Sequence, residues 1–176
     1  MKKLLIVVDF QNDFVSGSLG FKKAAALEKK IAAKIKEYRT RGDEVLFTLD
    51  THGEDYLETE EGRNLPVKHC IAGTPGWQLY GSISDLRQNG DRCIEKGSFG
   101  SPELFRYLSD GEYGGIELVG VVSNICVISN AVIAKTALPE VPVAVDASCV
   151  ASGDDALNEK ALDVMESLQI TVTRRG

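Results

Sequence analysis

The chain has 176 residues, enough for one domain around one sizeable core. With 43% hydrophobic and 26% charged residues, its composition is that of a soluble globular protein. A net charge of −6 argues against a nucleic-acid-binding surface, which would be a basic patch, and no apolar run approaches membrane-spanning length.

The run "LLIVVDF" (4–10) has the length of a buried strand and ends at Asp9. It is too short for a secretory signal despite its basic start, so a cytoplasmic location is expected. A helix across 24–41 puts Leu27, Ile31, Ile35 and Tyr38 on one face and its basic residues on a solvated face. Arg41-Gly42-Asp43 ends that helix, and "EVLFTLD" (44–50) is a second strand. A long irregular stretch follows, then a strand "DRCIEK" (91–96), a short helix around 102–109 and a strand "GIELVGVV" (115–122). A helix opening at Cys126, a strand "VPVAVDA" (141–147), a helix at about 154–168 and a strand "ITVTR" (170–174) complete the chain.

Alternation of apolar strands with helices predicts a parallel sheet covered on both faces. The expected fold is a three-layer α/β/α, doubly wound, mainly parallel sheet of six strands, with the first strand central and one domain over 1–176. Ligands of such sheets bind beyond the carboxyl ends of the strands, near the switch in strand order. Asp9, Asp50, Lys96, Cys126 and Asp146 fall at those ends, and the two longest connections, 10–23 and 51–90, leave from the same side.

A thiol in the first turn of a helix feels the positive end of the helix dipole, which favours thiolate. Cys126 is therefore either a nucleophile or a small buried hydrophobe. The four cysteines stand far apart, in no metal or redox spacing, and are expected to be free. Asp9 either caps the turn after its strand or supplies a carboxylate, and Lys96 at a buried strand end needs an anionic partner. Together the three would provide carboxylate, ammonium and thiol, a set that can work without histidine. The two histidines, His52 and His69, lie in the loop region after the second strand. With Asp50 they form either a set suited to zinc, iron or manganese with open positions, or ordinary hydrogen-bonding loop residues.

Three stretches, "VVDFQNDF", "KGSFGS" and "GVVSNICV", together resemble the isochorismatase-like cysteine hydrolases, the superfamily that includes nicotinamidases. The resemblance runs over nearly the whole chain, with the motifs in family order. It implies a triad of Asp9, Lys96 and Cys126, a cis peptide at Val121–Val122, and an oxyanion hole from the N–H groups of Val122 and Cys126. "LDTH…KHC" resembles the nicotinamidase metal site, which implies Asp50, His52 and His69 as ligands, with Glu58 or Glu61 as the fourth. Phe14 matches an aromatic that flanks the substrate ring, and Phe99 and Trp77 are expected to complete that lining. The sequence departs from the nicotinamidase pattern before its second histidine, where "NLPVKHC" lacks an aromatic, and at Asn124, where an Asp is common. The implied activity is hydrolysis of a small amide, nicotinamide first, with a divalent metal, zinc foremost. A ureido or carbamoyl substrate, or a non-catalytic binding protein of the same fold, are the alternatives. The expected partners are that small molecule and further copies of the chain, without nucleic acid or membrane.

Overall fold

In the computed structural model, which describes residues 1–174, six strands form one all-parallel sheet in the order β3-β2-β1-β4-β5-β6. The strands are β1 (Lys3–Val8), β2 (Glu44–Asp50), β3 (Arg92–Lys96), β4 (Gly115–Val121), β5 (Val143–Ala151) and β6 (Thr171–Thr173). The helices are α1 (Asn12–Val15), α2 (Lys22–Thr40), α3 (Glu60–Asn64), α4 (Gly81–Leu86), α5 (Pro102–Ser109), α6 (Ile128–Ala137) and α7 (Asp155–Ser167). Among the described residues no helix is long and apolar enough to cross a membrane.

The near-continuous apolar strands serve two cores, because successive side chains point to opposite faces. Leu5 and Val7 of β1 pack with Leu27, Ile31 and Ile35 of α2. Leu4, Ile6 and Val8 face the other way, into a core with Leu104 of α5, Ala131 and Ala134 of α6, and Leu162 of α7. Three layers result, as the alternation predicts. The strand order reverses between β1 and β4, so the ends of these two central strands flank the crevice where ligands bind in such sheets.

Three expectations need correction. The strand expected over 141–147 is longer, because Asp146 lies within β5 and not at its end. Leu118 pairs with Val145 but Gly120 with Val150, so two residues of β4 run beside five of β5. The bulge is tied down by Lys34 of α2, whose Nζ lies 2.8 Å from Asp146 Oδ2 and 2.7 Å from Glu117 Oε1. Lys34 is thereby buried, so the basic face of α2 is not wholly solvated. The third correction concerns the stretch between β2 and β3. It holds α3, α4 and single turns at Tyr56–Glu58 and Pro75–Trp77, all too short to show a helical period.

Gly120 illustrates how tightly β4 meets β1. Its φ is +114°, and a Cβ there would lie 2.1 Å from the Val8 carbonyl oxygen. Gly120→Ala is expected to cost about 3 kcal/mol of stability, through both the backbone conformation and the contact. Urea unfolding of the purified variant measures this directly.

Candidate active site

At the carboxyl end of the sheet, β1 stops at Val8 and Asp9 turns the chain with φ 46°. Aspartate is among the few side chains that tolerate this region. Its carboxylate is held by Thr48 of β2, whose Oγ1 donates to Asp9 Oδ1 at 2.6 Å. Lys96, at the end of β3, reaches across the end of β2 to meet it. Lys96 Nζ lies 2.6 Å from Asp9 Oδ2, 3.2 Å from Asp50 Oδ1 and 3.5 Å from Cys126 Sγ, and donates to the Ser98 carbonyl at 3.0 Å. Asp9 is fully buried, and Lys96 and Cys126 are 4% and 5% exposed. The three residues read from the sequence as one set therefore stand together.

Cys126 sits in a π-helical turn, Ser123–Val127, that leads into α6. The Val121–Val122 peptide is cis. The Val122 carbonyl accepts from the amides of Ile125 and Val127, both at 3.1 Å, and skips the Cys126 amide between them. Val122 and Cys126 both line the same cavity.

The electrostatics correct one expectation. A helix start by itself predicts thiolate at Cys126. Burial, then the charge of Asp9, instead push the thiol well above its ordinary value, and Lys96 does not offset them. Burial also raises Asp9 above the usual carboxylate range, with the Lys96 charge only partly compensating. Burial opposes the charge on Lys96 too, but the carboxylates of Asp9 and Asp50 outweigh it and keep the ammonium firmly protonated. The Cys126 thiol thus keeps its proton, beside a charged Lys96 ammonium.

Next to it, Asp50, His52, Glu61 and His69 offer four donor atoms, all within 4.8 Å of one another. Asp50 Oδ2 lies 3.0 Å from His52 Nε2 and 3.3 Å from His69 Nε2, and Glu61 Oε1 lies 3.8 Å and 3.7 Å from the same nitrogens. Ligands at the usual zinc bond length in a tetrahedron stand about 3.3 Å apart, so the spacing suits a divalent ion. His69 Nδ1 lies 2.8 Å from the Val67 carbonyl, which fixes that nitrogen as donor and leaves the Nε2 lone pair facing the group. Burial works against a proton on His69, but Asp50 and the Val67 carbonyl raise its pKa; the carboxylates that attract a proton would equally attract a dication. Burial opposes ionisation of Asp50 as well, yet its bonds to His52 and His69 and the Lys96 charge hold it below the usual range.

Of the two candidates for the fourth donor, Glu61 joins the group and Glu58 is exposed. The Thr59 hydroxyl accepts from the Gly62 amide at 3.0 Å and starts α3 there, which turns Glu61 inward from the first turn. Gly62 permits this packing, since a Cβ would meet the Tyr56 carbonyl oxygen at 1.9 Å.

The cavity over Cys126 has a volume of about 310 Å³. Phe14 and Phe99 line it, as expected; Trp77 does not. The Trp77 indole N–H instead donates to Thr51 Oγ1 at 2.8 Å, and the ring borders a separate groove beside Leu49 and Arg87. Leu19, Phe21 and Leu65 supply the apolar wall that sequence reasoning missed, and Asn124 and Asp154 add polar groups. The length of the 10–23 connection was the one sign that Leu19 and Phe21 would matter.

Residues 3–175 match the isochorismatase domain. The chain belongs to the isochorismatase family. An isochorismatase family protein of Bacillus subtilis, PncA, is 35% identical over 143 residues, covering 75% of this chain and 78% of that protein. The crystal structure of a pyrazinamidase/nicotinamidase from Streptococcus mutans superposes with a TM-score of 0.88 at 29% identity, covering 98% of this chain and all (100%) of that one. A pyrazinamidase of Pyrococcus horikoshii, solved in complex with zinc, shares the fold with a TM-score of 0.86 at 24% identity, covering 99% and 100% of the two chains. The isochorismatase fold therefore accounts for the whole sheet and its helical layers.

The donor group can be tested residue by residue. Glu61→Gln is expected to weaken binding of a divalent ion by more than about tenfold, whereas Glu58→Gln leaves it unchanged. Competition against a chromogenic chelator, with both variants side by side, reads the difference.

Proposed function

We propose that this isochorismatase-family protein is a cysteine-dependent amidohydrolase that converts nicotinamide to nicotinate and ammonia. The observation that carries this reading is the contact of one buried ammonium with Asp9, Cys126 and Asp50, of which the last two line a mostly apolar cavity. The name of the Streptococcus mutans relative, a pyrazinamidase/nicotinamidase, supports the substrate.

In the proposed cycle, Asp9 takes the proton of the Cys126 thiol as the sulfur attacks the amide carbonyl carbon. Because the proton moves from one member of the buried cluster to another, the net charge of the group does not change, and burial, which raises the pKa of both groups, disfavours the charged form of each alike. Lys96 stays charged and steadies the forming thiolate. The developing oxyanion takes hydrogen bonds from the Val122 and Cys126 amides. Asp9 returns its proton to the nitrogen as the C–N bond breaks, releasing ammonia and leaving a thioester on Cys126. Water then gives a proton to Asp9 and its oxygen to the acyl carbon. The C–S bond breaks, and the sulfur recovers the proton. Asp50, His52, Glu61 and His69 would hold a divalent ion, which we take to be zinc, able when bound to offer a Lewis-acidic point to a ring nitrogen of the substrate.

A second reading has one observation in its favour. With Trp77 outside the cavity and Leu65 on its wall, the aromatic lining consists of Phe14, Phe21 and Phe99. A non-aromatic amide, such as a ureido or carbamoyl compound, would also find an apolar wall there.

Ammonia release from a panel of small amides, with and without chelator, separates these readings. Nicotinamide is expected to be the best substrate. Cys126→Ala should abolish turnover while keeping the fold, and Asp9→Asn should come close to it, since an amide cannot accept the thiol proton. Preference for a carbamoyl compound would select the second reading. Undiminished activity of Cys126→Ala would remove both.

A further inference from the structure

Asp50 extends beyond the reach of its neighbouring strand. The β1–β2 ladder ends at Val8 and Thr48, because Asp9 turns the chain away, whereas β2 continues to Asp50. The Thr51 amide donates toward β3, to the Lys96 carbonyl at 2.8 Å. Backbone groups alternate in direction along a strand, so the N–H and C=O of Asp50 point to the other side, where β1 has gone. A buried peptide group without partners is costly and rare.

Gln11 takes the place of the missing strand. Its Oε1 accepts from the Asp50 amide at 2.8 Å, and its Nε2 donates to the Asp50 carbonyl at 2.9 Å. The second proton of Nε2 goes to the Trp77 carbonyl at 2.7 Å. Gln11 is wholly buried. A carboxamide carries the donor and acceptor of a peptide group, so it can complete the ladder at this one residue. Glutamate would keep the acceptor but lose both donors, and methionine would fill the space with neither.

The residue held in this way is the one shared by both halves of the site. Asp50 Oδ1 meets Lys96, and Oδ2 meets His52 and His69. We propose that Gln11 is a positioning residue, which fixes the backbone of Asp50 and through it aims the carboxylate at the metal donors and at Lys96. The metal part of this inference rests on the divalent-ion reading given above; the clamp on Asp50 does not.

Two measurements on Gln11→Met test it, with Asn12→Ala as control. Asn12 Nδ2 donates to the Pro75 carbonyl at 2.7 Å, so its loss loosens the same loop without touching Asp50. In metal-free protein, amide exchange at Asp50 should accelerate at least about tenfold in Gln11→Met, with Thr51 little changed. Zinc affinity, read by chelator competition, should fall about 10–100-fold, as for other residues that orient a ligand. Asn12→Ala should do neither, even if it lowers the melting temperature. If Gln11→Met does not fold, Gln11→Glu, which cannot donate to either carbonyl, should show the same fall in zinc affinity. Wild-type exchange at Asp50 or wild-type zinc affinity in a folded Gln11 variant overturns the proposal, as does an Asn12→Ala variant that reproduces both effects. A wild-type protein that binds no zinc would remove the metal reading alone, and exchange at Asp50 would then decide the clamp.

Discussion

A charged ammonium that is almost entirely out of water must be surrounded by groups that replace its hydration, and at Lys96 those groups come from three strand ends. Asp9 follows β1, Asp50 ends β2, and Cys126 follows β4; the Ser98 carbonyl completes the set. Removing one partner from such a buried cluster leaves an uncompensated charge, which commonly costs about 3–5 kcal/mol. The site is therefore bound to the fold in both directions. The sheet order brings β1, β2 and β4 together, and the lysine side chain is long enough to cross the end of β2 from β3. The ammonium, in turn, makes it tolerable to bury two carboxylates within reach of one another.

The same arrangement sets the protonation states. A lone cation beside a thiol would favour thiolate, but here the cation is engaged by two carboxylates in a buried place. Burial and Asp9 together hold the proton on sulfur. The nucleophile would form only as Asp9 takes that proton, so Asp9 is placed to act as base and acid in turn while the charge of the group stays constant. Asp50 links this set to the donor group of His52, Glu61 and His69. Its low pKa, a consequence of those neighbours and Lys96, keeps it ionised for both tasks.

Much of this was legible in the sequence where local chemistry decides. Strand-length apolar runs mark the sheet, and Asp9, Asp50, Lys96 and Cys126 stand out as ionisable or reactive side chains at the ends of buried strands; His52 and His69, in the loop region after the second strand, join Asp50 by residue type and by the likeness of "LDTH…KHC" to the nicotinamidase metal site. What stayed hidden depended on partners distant in sequence. Asp146 read as a strand end because a carboxylate interrupts an apolar run; Lys34, from a helix more than a hundred residues earlier, neutralises it and lets β5 continue. Glu58 and Glu61 were indistinguishable until the Thr59 cap set the phase of α3. Trp77 read as a wall of the cavity, yet its indole finds a partner in Thr51. Gln11 gave no sign of its task, since a glutamine acting as a strand cannot be told from a polar loop residue before the ladder is seen to end.

In the proposed cycle the Lys96 cluster makes Cys126 the acyl acceptor. Peptide mapping by mass spectrometry of a single turnover with nicotinamide, acid-quenched over a time course, tests it most directly. A transient acyl group is expected on the Cys126 peptide and on none of those carrying Cys70, Cys93 or Cys149. In Lys96→Met that adduct should form more slowly by a factor of about a hundred or more, the scale on which charge stabilisation acts in a buried site. Turnover without any adduct on Cys126, or an adduct that forms at the wild-type rate without Lys96, would rule out this role for the cluster.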